Sequence, residues 1–380
     1  MKRFICLFLI FAALLTSSAY AETPSAGITP SVAAPSAVLM EKRTGEVLYE
    51  KKAHDHYFPA SVTKVMTLLL IAEDIESGKI SLDDTVTASK RAASFGGSCV
   101  YLAEGEQMTV NDMLKCIAVV SANDCAVAMA EHLSGSEELF VQRMNERASA
   151  LGLEDTHFTN CTGLFDDNNH YTSAYDVAVM SRELLRHEFI KEYTTIWMDS
   201  IRNGEFGLSS TNRLVYWYPG CTGLKTGYTS TAKYCISATA ERDGVEYIAV
   251  IMHSETADSR NADAQALLDY AFANYTLCSL RSGTPLPAIP VELGRAASVQ
   301  AVYGGPEYAL TAKTGAEPEY TLDIESSAAA PVHAGDRLGT LTVRSGGKVV
   351  ASVPVLAGED VPRLGVFGIA ALLAGRMVGL

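Results

Sequence analysis

This chain of 380 residues has few cations: 30 lysines and arginines stand against 44 aspartates and glutamates, for a formal net charge of −14. That balance argues against nucleic acid as a partner, because binding phosphates draws on clustered Lys and Arg. Metal-type spacing is missing as well. The eight cysteines are scattered, with no CxxC pair and no Cys/His cluster of the kind that holds zinc. Apolar runs of the length that spans a bilayer, about 20 residues, are also lacking. The opening run covers residues 4–15 only, and the closing stretch, residues 363–380, is short and interrupted by Arg376.

What is present at the start reads as an export signal. Met1-Lys2-Arg3, the apolar run and Ser18-Ala19-Tyr20-Ala21 form the three-part pattern of a secretory peptide, with cleavage expected after Ala21. The mature protein is therefore expected outside the cytoplasm. Loss of Lys2 and Arg3 takes the charge from −14 to −16, which speaks only for solubility. Cys6 leaves with the signal. Cys99, Cys116, Cys125, Cys161, Cys221, Cys235 and Cys278 stay, and are expected to be buried small hydrophobes or to form at most one or two disulfides.

About 360 residues remain, enough for two domains. Residues 22–36, rich in Pro, Ser and Ala, read as a flexible leader. A β-hairpin is expected from Ala37-Val38-Leu39-Met40 and Glu46-Val47-Leu48-Tyr49 around a glycine turn. Helices are expected over residues 61–76, over 110–133 as two pieces meeting near Ser121-Ala122-Asn123-Asp124, and over 137–151, 175–186 and 262–275. Tyr234-Cys235-Ile236-Ser237-Ala238 and Tyr247-Ile248-Ala249-Val250-Ile251-Met252 read as buried strands. After Cys278 helical periodicity ends. Short alternating runs at 299–303, 320–324, 339–343 and 349–355 imply a small all-β domain over 278–360. Residues 361–380 suit either a helix packed on that domain or an amphipathic stretch at a membrane surface.

Ser61-Val62-Thr63-Lys64 places a hydroxyl and an amine one helical turn apart, with Cβ atoms about 5–6 Å from each other. A serine needs such a base to become nucleophilic near neutral pH, and the lysine qualifies only if burial lowers its pKa of about 10.4. Val65, Met66, Leu68, Leu69 and Leu70 supply the apolar surroundings. The same four-residue pattern recurs at Ser230-Thr231-Ala232-Lys233 and Ser345-Gly346-Gly347-Lys348, but neither opens a helix. Ser121-Ala122-Asn123, at a helix junction, offers polar groups to move a proton, or else merely caps the helix. Ser210-Thr211-Asn212 and Ser259-Arg260-Asn261 share its spelling. Leu224-Lys225-Thr226-Gly227-Tyr228-Thr229 brings a cation, a hydroxyl and a glycine against which a substrate backbone can lie. Lys313-Thr314-Gly315 in the β domain reads as a turn. His54-Asp55-His56 reads as a polar loop, not a metal site.

Ser61-Val62-Thr63-Lys64, Ser121-Ala122-Asn123 and Lys225-Thr226-Gly227, in that order, resemble the active-site triplet of penicillin-binding proteins and serine β-lactamases. Pro59-Ala60-Ser61, Leu151-Gly152-Leu153, His170-Tyr171-Thr172-Ser173-Ala174-Tyr175-Asp176 and Gly223-Leu224-Lys225-Thr226-Gly227-Tyr228-Thr229 are similar to the low-molecular-mass D-alanyl-D-alanine carboxypeptidases in particular. The resemblance implies an α/β (α+β) transpeptidase-like domain over residues 37–277 with the smaller all-β domain appended. It also implies roles. Ser61 attacks the bond between two D-alanines of the peptidoglycan stem peptide, and Lys64 takes its proton. Backbone N–H groups of Ser61 and Tyr228 form the oxyanion hole. Ser121, Asn123 and Lys225 shuttle protons and orient the peptide, Thr226 holds its terminal carboxylate, and Arg260 supports that recognition. β-Lactam antibiotics acylate Ser61, and no metal or organic cofactor is implied.

Against a class A β-lactamase stand Ala122, where Asp is usual, and the lack of a Glu-x-x-Leu-Asn segment between Asn123 and Lys225. A wall-binding scaffold without activity is disfavoured because every polar group of the three motifs is retained. An endopeptidase that cuts cross-links stays open.

Overall fold

The computed structural model describes residues 29–378, so the expected signal peptide and the first part of the leader lie outside the described residues. Two compact units divide between Leu277 and Cys278.

The first unit is built on a five-stranded sheet of β1 (Ser36–Glu41), β2 (Val47–Lys51), β3 (Cys221–Thr229), β4 (Lys233–Arg242) and β5 (Val245–Ser254). Its order is β2-β1-β5-β4-β3 and every pairing is antiparallel, so β3 is an edge strand. All six residues of β1 are buried. In a strand, neighbours point to opposite faces. Val38 and Met40 enter the main core, while Leu39, equally buried, points the other way. Such a sheet needs a layer on each side. Helices α5 (Ala174–Leu184) and α6 (Ala257–Asn274) supply them, each packing on β1, β4 and β5.

Helices α1 (Lys64–Glu76), α2 (Val110–Val119), α3 (Asn123–Ser134) and α4 (Glu137–Ala150) belong to the same unit. Residues Cys125, Ala126, Val127, Ala128, Met129 and Ala130 of α3 are all buried. A helix apolar on every side lies inside a core, and α3 therefore fixes the residues at its N-terminus firmly.

Three expectations are corrected. The leader is not loose to its end: Val32 and Ala34 are buried, and the backbone N–H groups of Ala33 and Ala34 donate to Asp263. The helix expected from residue 61 begins at Lys64, behind a 3₁₀ turn, Ala60–Thr63. Helix α6 begins at Ala257, five residues before the expected 262, because Thr256 and Ser259 form a reciprocal capping box.

The second unit carries a six-stranded sheet of β6 (Ala288–Glu292), β7 (Ser298–Tyr303), β8 (Glu319–Ile324), β9 (Ala328–Ala329), β10 (Arg337–Ser345) and β11 (Lys348–Ala357), in the order β8-β10-β11-β7-β6-β9. Val299, Ala301, Leu341, Val343, Val353 and Val355 make its core. Ser345 and Lys348 face each other across the Gly346-Gly347 turn, so that lysine is a hairpin feature. A last helix, α7, spans Val366–Val378, and Val366 and Phe367 at its start are exposed. Among the described residues no helix is long and apolar enough to cross a membrane.

All seven cysteines from Cys99 to Cys278 are free thiols, and five of them are buried. His54 and His56 both bond Asp155, at 2.8 and 3.1 Å.

Candidate active site

In a 3₁₀ turn residues three apart nearly eclipse one another. The turn Ala60–Thr63 therefore aims Lys64 at Ser61 better than an ordinary helix start would, and Lys64 Nζ lies 3.1 Å from Ser61 Oγ. Two glycines make room for this turn. A Cβ on Gly163 (φ +70°) would fall 1.8 Å from the Ala60 carbonyl oxygen, and one on Gly227 would fall 2.9 Å from Pro59 O and 3.0 Å from Ser61 N. Gly227 thus brings the backbone of β3 directly against the backbone of Ser61.

Lys64 is fully buried and its Nζ has two further partners, Asn123 Oδ1 at 2.6 Å and Thr162 O at 2.8 Å. Both are acceptors only. The Asn123 amide is oriented by its Nδ2, which donates to Gly96 O at 2.8 Å. A neutral amine has two N–H bonds and one lone pair, so it donates to these two oxygens and turns the lone pair toward Ser61 Oγ. Burial lowers the lysine's pKa to about 7. Near neutral pH, then, about half of the molecules present a free base to a serine hydroxyl.

Asn123 begins α3, but the cap position is Ala122 and no side chain caps the helix. Its amide is committed to Lys64 and Gly96 instead. Ser121 sits just before the helix at φ +63°, almost completely buried, and its Oγ has no hydrogen-bond partner. A buried hydroxyl left unsatisfied costs about 1–3 kcal/mol, which marks a position kept for a ligand more readily than one kept for packing.

On β3, Lys225 is buried in mid-strand, and its Nζ donates to Thr226 O at 3.0 Å. Burial, then the charges of Lys64 and Arg260, push its pKa well below the usual lysine value. Arg260, in the first turn of α6, is also buried, and donates through Nε and Nη2 to Asn261 Oδ1 at 3.1 and 2.8 Å. Buried Lys225 thus stands near two other buried basic groups, Lys64 and Arg260. Tyr228 is 56% exposed and leans on Tyr234, with ring centroids 4.4 Å apart.

Thr226 Oγ1 donates to Thr211 Oγ1 at 2.8 Å, Thr211 N–H donates to Val119 O, and Asn212 Nδ2 donates to Gly223 O at 3.0 Å. The Ser210-Thr211-Asn212 segment, one of three with the same spelling, therefore adjoins the site and ties β3 to the end of α2. The loop that offers Thr162 O is set by Asn160 Oδ1, which accepts from Thr162 N, Thr162 Oγ1 and Gly163 N. Neither role has a sequence signature, since Thr162 reaches Lys64 through a main-chain oxygen and Thr211 meets Thr226 only through tertiary contact.

His170 supports the same turn. Its Nδ1 accepts from Thr159 N–H at 2.9 Å, so a neutral ring carries its proton on Nε2 and donates to Thr63 Oγ1 at 2.8 Å. Burial lowers its pKa to about 4. Between about pH 6.5 and about 4 the unfolded chain binds a proton that the folded chain refuses, so stability falls as pH is lowered through that window and levels off below it. The loss from this one group is at most roughly 3 kcal/mol. Urea midpoints measured from pH 7 to 4 should show this decline, and His170→Gln should flatten it; an equal slope in both proteins removes His170 as its source.

Over residues 21–256 the sequence matches the family described as D-alanyl-D-alanine carboxypeptidase, and over residues 279–363 it matches the C-terminal domain of penicillin-binding protein 5. It is 42% identical to the D-alanyl-D-alanine carboxypeptidase DacF of Bacillus subtilis over 374 residues, 96% of each chain. Penicillin-binding protein 5 of Haemophilus influenzae has a similar structure, with a TM-score of 0.77 and 28% identity over 89% of this chain and all of that one. Penicillin-binding protein D2 of Listeria monocytogenes in its ampicillin-bound form is also similar, with a TM-score of 0.59 and 29% identity over 64% of this chain and all of that one.

Proposed function

Since the chain belongs to the D-alanyl-D-alanine carboxypeptidase family of penicillin-binding serine peptidases, we propose that Ser61 is its nucleophile and Lys64 the base that activates it. The observation that carries this assignment is the Lys64 amine held between two acceptor-only oxygens with its third contact, at 3.1 Å, to Ser61 Oγ. The enzyme is a carboxypeptidase that removes the terminal D-alanine from peptidoglycan stem peptides and is acylated by β-lactams. With these roles, Ser61 Oγ attacks the carbonyl of the penultimate D-alanine as Lys64 takes the proton. The C–N bond breaks, D-alanine leaves with a proton returned through the Lys64, Ser121 and Asn123 group, and an ester on Ser61 remains for water to hydrolyse.

The stem peptide lies along the open edge of β3, where an extended chain finds unpaired backbone groups. N–H groups of Ser61 and Tyr228 take the developing oxyanion. Lys225, Thr226 and Arg260 receive the terminal carboxylate, and Thr211, whose oxygen already accepts from Thr226, has its own hydroxyl proton left to donate. Burial, then the charges of Lys64 and Arg260, lower the pKa of Lys225, and an anion beside these groups offsets that repulsion.

The protein acts outside the cytoplasm, exported by residues 1–21 and held at the outer face of the membrane by residues 361–380. The exposed Val366 and Phe367 and the apolar sequence of α7 support surface attachment.

Incubation with a stem pentapeptide and with a cross-linked dimer, followed by mass spectrometry, tests the activity. Release of one D-alanine from the pentapeptide with the dimer intact is expected. Cleavage of the dimer in preference to the pentapeptide would make the protein an endopeptidase.

A further inference from the structure

Asp124, the residue after Asn123, takes no step in the reaction, yet it is built into the same structure. It is buried in the first turn of α3, where a helix N-terminus favours an anion. Its Oδ2 accepts from the N–H groups of Val100 and Leu102, both at 3.1 Å, and its Oδ1 accepts from Cys125 N–H at 2.9 Å and Val100 N–H at 3.3 Å. Among the described residues all its hydrogen bonds come from main-chain N–H groups, so both oxygens act as acceptors, as those of a carboxylate do. Between Val100 and Leu102 stands Tyr101, at φ +59° with its ring in solvent. That backbone is strained in a bulky residue. It turns the N–H groups on either side of Tyr101 toward one point, as a left-handed residue does in backbone concavities that bind anions.

The loop held in this way is the one that meets Asn123. Ser98 O accepts from Asn123 N–H at 2.7 Å, Gly96 O accepts from Asn123 Nδ2 at 2.8 Å, and a Cβ on Gly97 would fall 2.9 Å from that same nitrogen. Asn123 Oδ1 in turn meets Lys64 Nζ at 2.6 Å. Asp124 is thus joined to Lys64 through the loop and one amide.

The carboxylate also bears on Lys64 by its charge. Burial lowers the lysine's pKa, and the acidic groups set against burial are Cys161, Cys99 and Asp124. Burial raises the pKa of both thiols, which leaves them neutral near pH 7. Of the three, Asp124 therefore supplies the negative charge. Lys225 bears on the amine from β3 with the opposite effect. When Lys64 takes the serine proton a buried ammonium forms, and a buried anion nearby offsets its loss of hydration.

We propose that Asp124 is a positioning residue of the carboxypeptidase reaction: it clasps the loop of residues 96–102 onto Asn123 and holds near Lys64 a negative charge that steadies the ammonium formed as the serine proton is taken. No bond to Asp124 forms or breaks. This role rests on Lys64 being the base, as assigned above.

Asp124→Asn keeps the shape of the side chain and removes the charge. In the full-length variant the acidic limb of kcat/KM, expected at about pH 7 in the native protein, should move down by about half a pH unit or more. The plateau above it should fall at least about threefold, since a weaker base takes the proton less readily. The direction separates two roles. A clasp with no electrostatic part would, once loosened, admit water to Lys64, and the limb would then rise or stay in place while the rate fell. Asp124→Glu keeps the charge and should return the limb toward its native position, and Cys99→Ser, which alters a neutral neighbour, should leave the limb where it is. A second measurement needs no variant to fold. In native protein carrying isotope-labelled aspartate, the carboxyl resonance of Asp124 should shift with the same midpoint as the limb. A limb that stays or rises in Asp124→Asn overturns the role; should that variant not fold, a carboxyl resonance that is flat through the native limb overturns it, and one that shifts with the limb upholds it. A native profile with no limb near pH 7 removes Lys64 as the base and takes this role with it.

Discussion

Ser61→Ala should form no covalent adduct with penicillin and should release D-alanine from a stem pentapeptide at least about 10⁴-fold more slowly than the native protein. Intact-protein mass spectrometry reads the first effect and a D-alanine assay the second. The loss is expected to be chemical and not structural. Ser61 Oγ is half-buried and its contact with Lys64 is one of three that the amine makes, so the core around α1 keeps its packing. Equal melting temperatures would establish that point. The expectation has a sharp alternative, because a scaffold that had lost its chemistry would be indifferent to the substitution. Persistence of the adduct in Ser61→Ala would sink the assignment of the nucleophile.

Replacing Lys64 should have an effect of similar size, and its dependence on pH tells more than its magnitude. In the native protein kcat/KM should fall about tenfold per unit below pH 7, where the amine is protonated, and level off above it. The sign follows from the role: burial depresses the lysine's pKa to about 7, and only the unprotonated fraction below that value can take the serine proton. Acylation by penicillin should show the same acidic limb, since it uses the same step. Lys64→Arg keeps a cation that cannot deprotonate, and Lys64→Met keeps the bulk with no base. Both should lose about 10³-fold or more, and the limb near pH 7 should vanish from whatever rate remains. A profile flat from pH 5 to 8 in the native protein would assign the base elsewhere.

The parts of this site legible in the sequence were those whose signal is local. Ser61 and Lys64 are three apart, and that spacing alone put them on one face. Ser121 and Asn123 flank a break in helical periodicity, and Lys225, Thr226 and Gly227 precede two buried strands. The order of the sheet, with β3 at its edge, comes from pairings between segments as distant as β1 and β5 and has no local mark. Nor do the two carbonyl oxygens, of Thr162 and Gly96, that fix the hydrogen bonds of Lys64 and Asn123, since every residue carries a carbonyl. Thr211 carries no mark of its own, because its segment shares a spelling with two others, and only tertiary contact brings it to Thr226. In α6 the starting signal was present, but Ser259 stands where Glu or Gln is usual in a capping box. β6 contains Pro290 between its two buried residues, Ile289 and Val291, and proline weakens any reading as a strand.

Ser121 has a consequence for anyone who sets out to make this protein more robust. Its left-handed backbone costs about 1 kcal/mol or more in a residue with a side chain, and its hydroxyl is buried with nothing to bond. Glycine at that position removes both burdens at once. A selection for heat resistance that never asks about turnover would therefore be drawn to residue 121, and would return sturdier proteins with a poorer catalyst inside. A spot built at a cost to stability is where the usefulness of the unit resides, and a sound engineering programme must hold it fixed and seek its gains elsewhere.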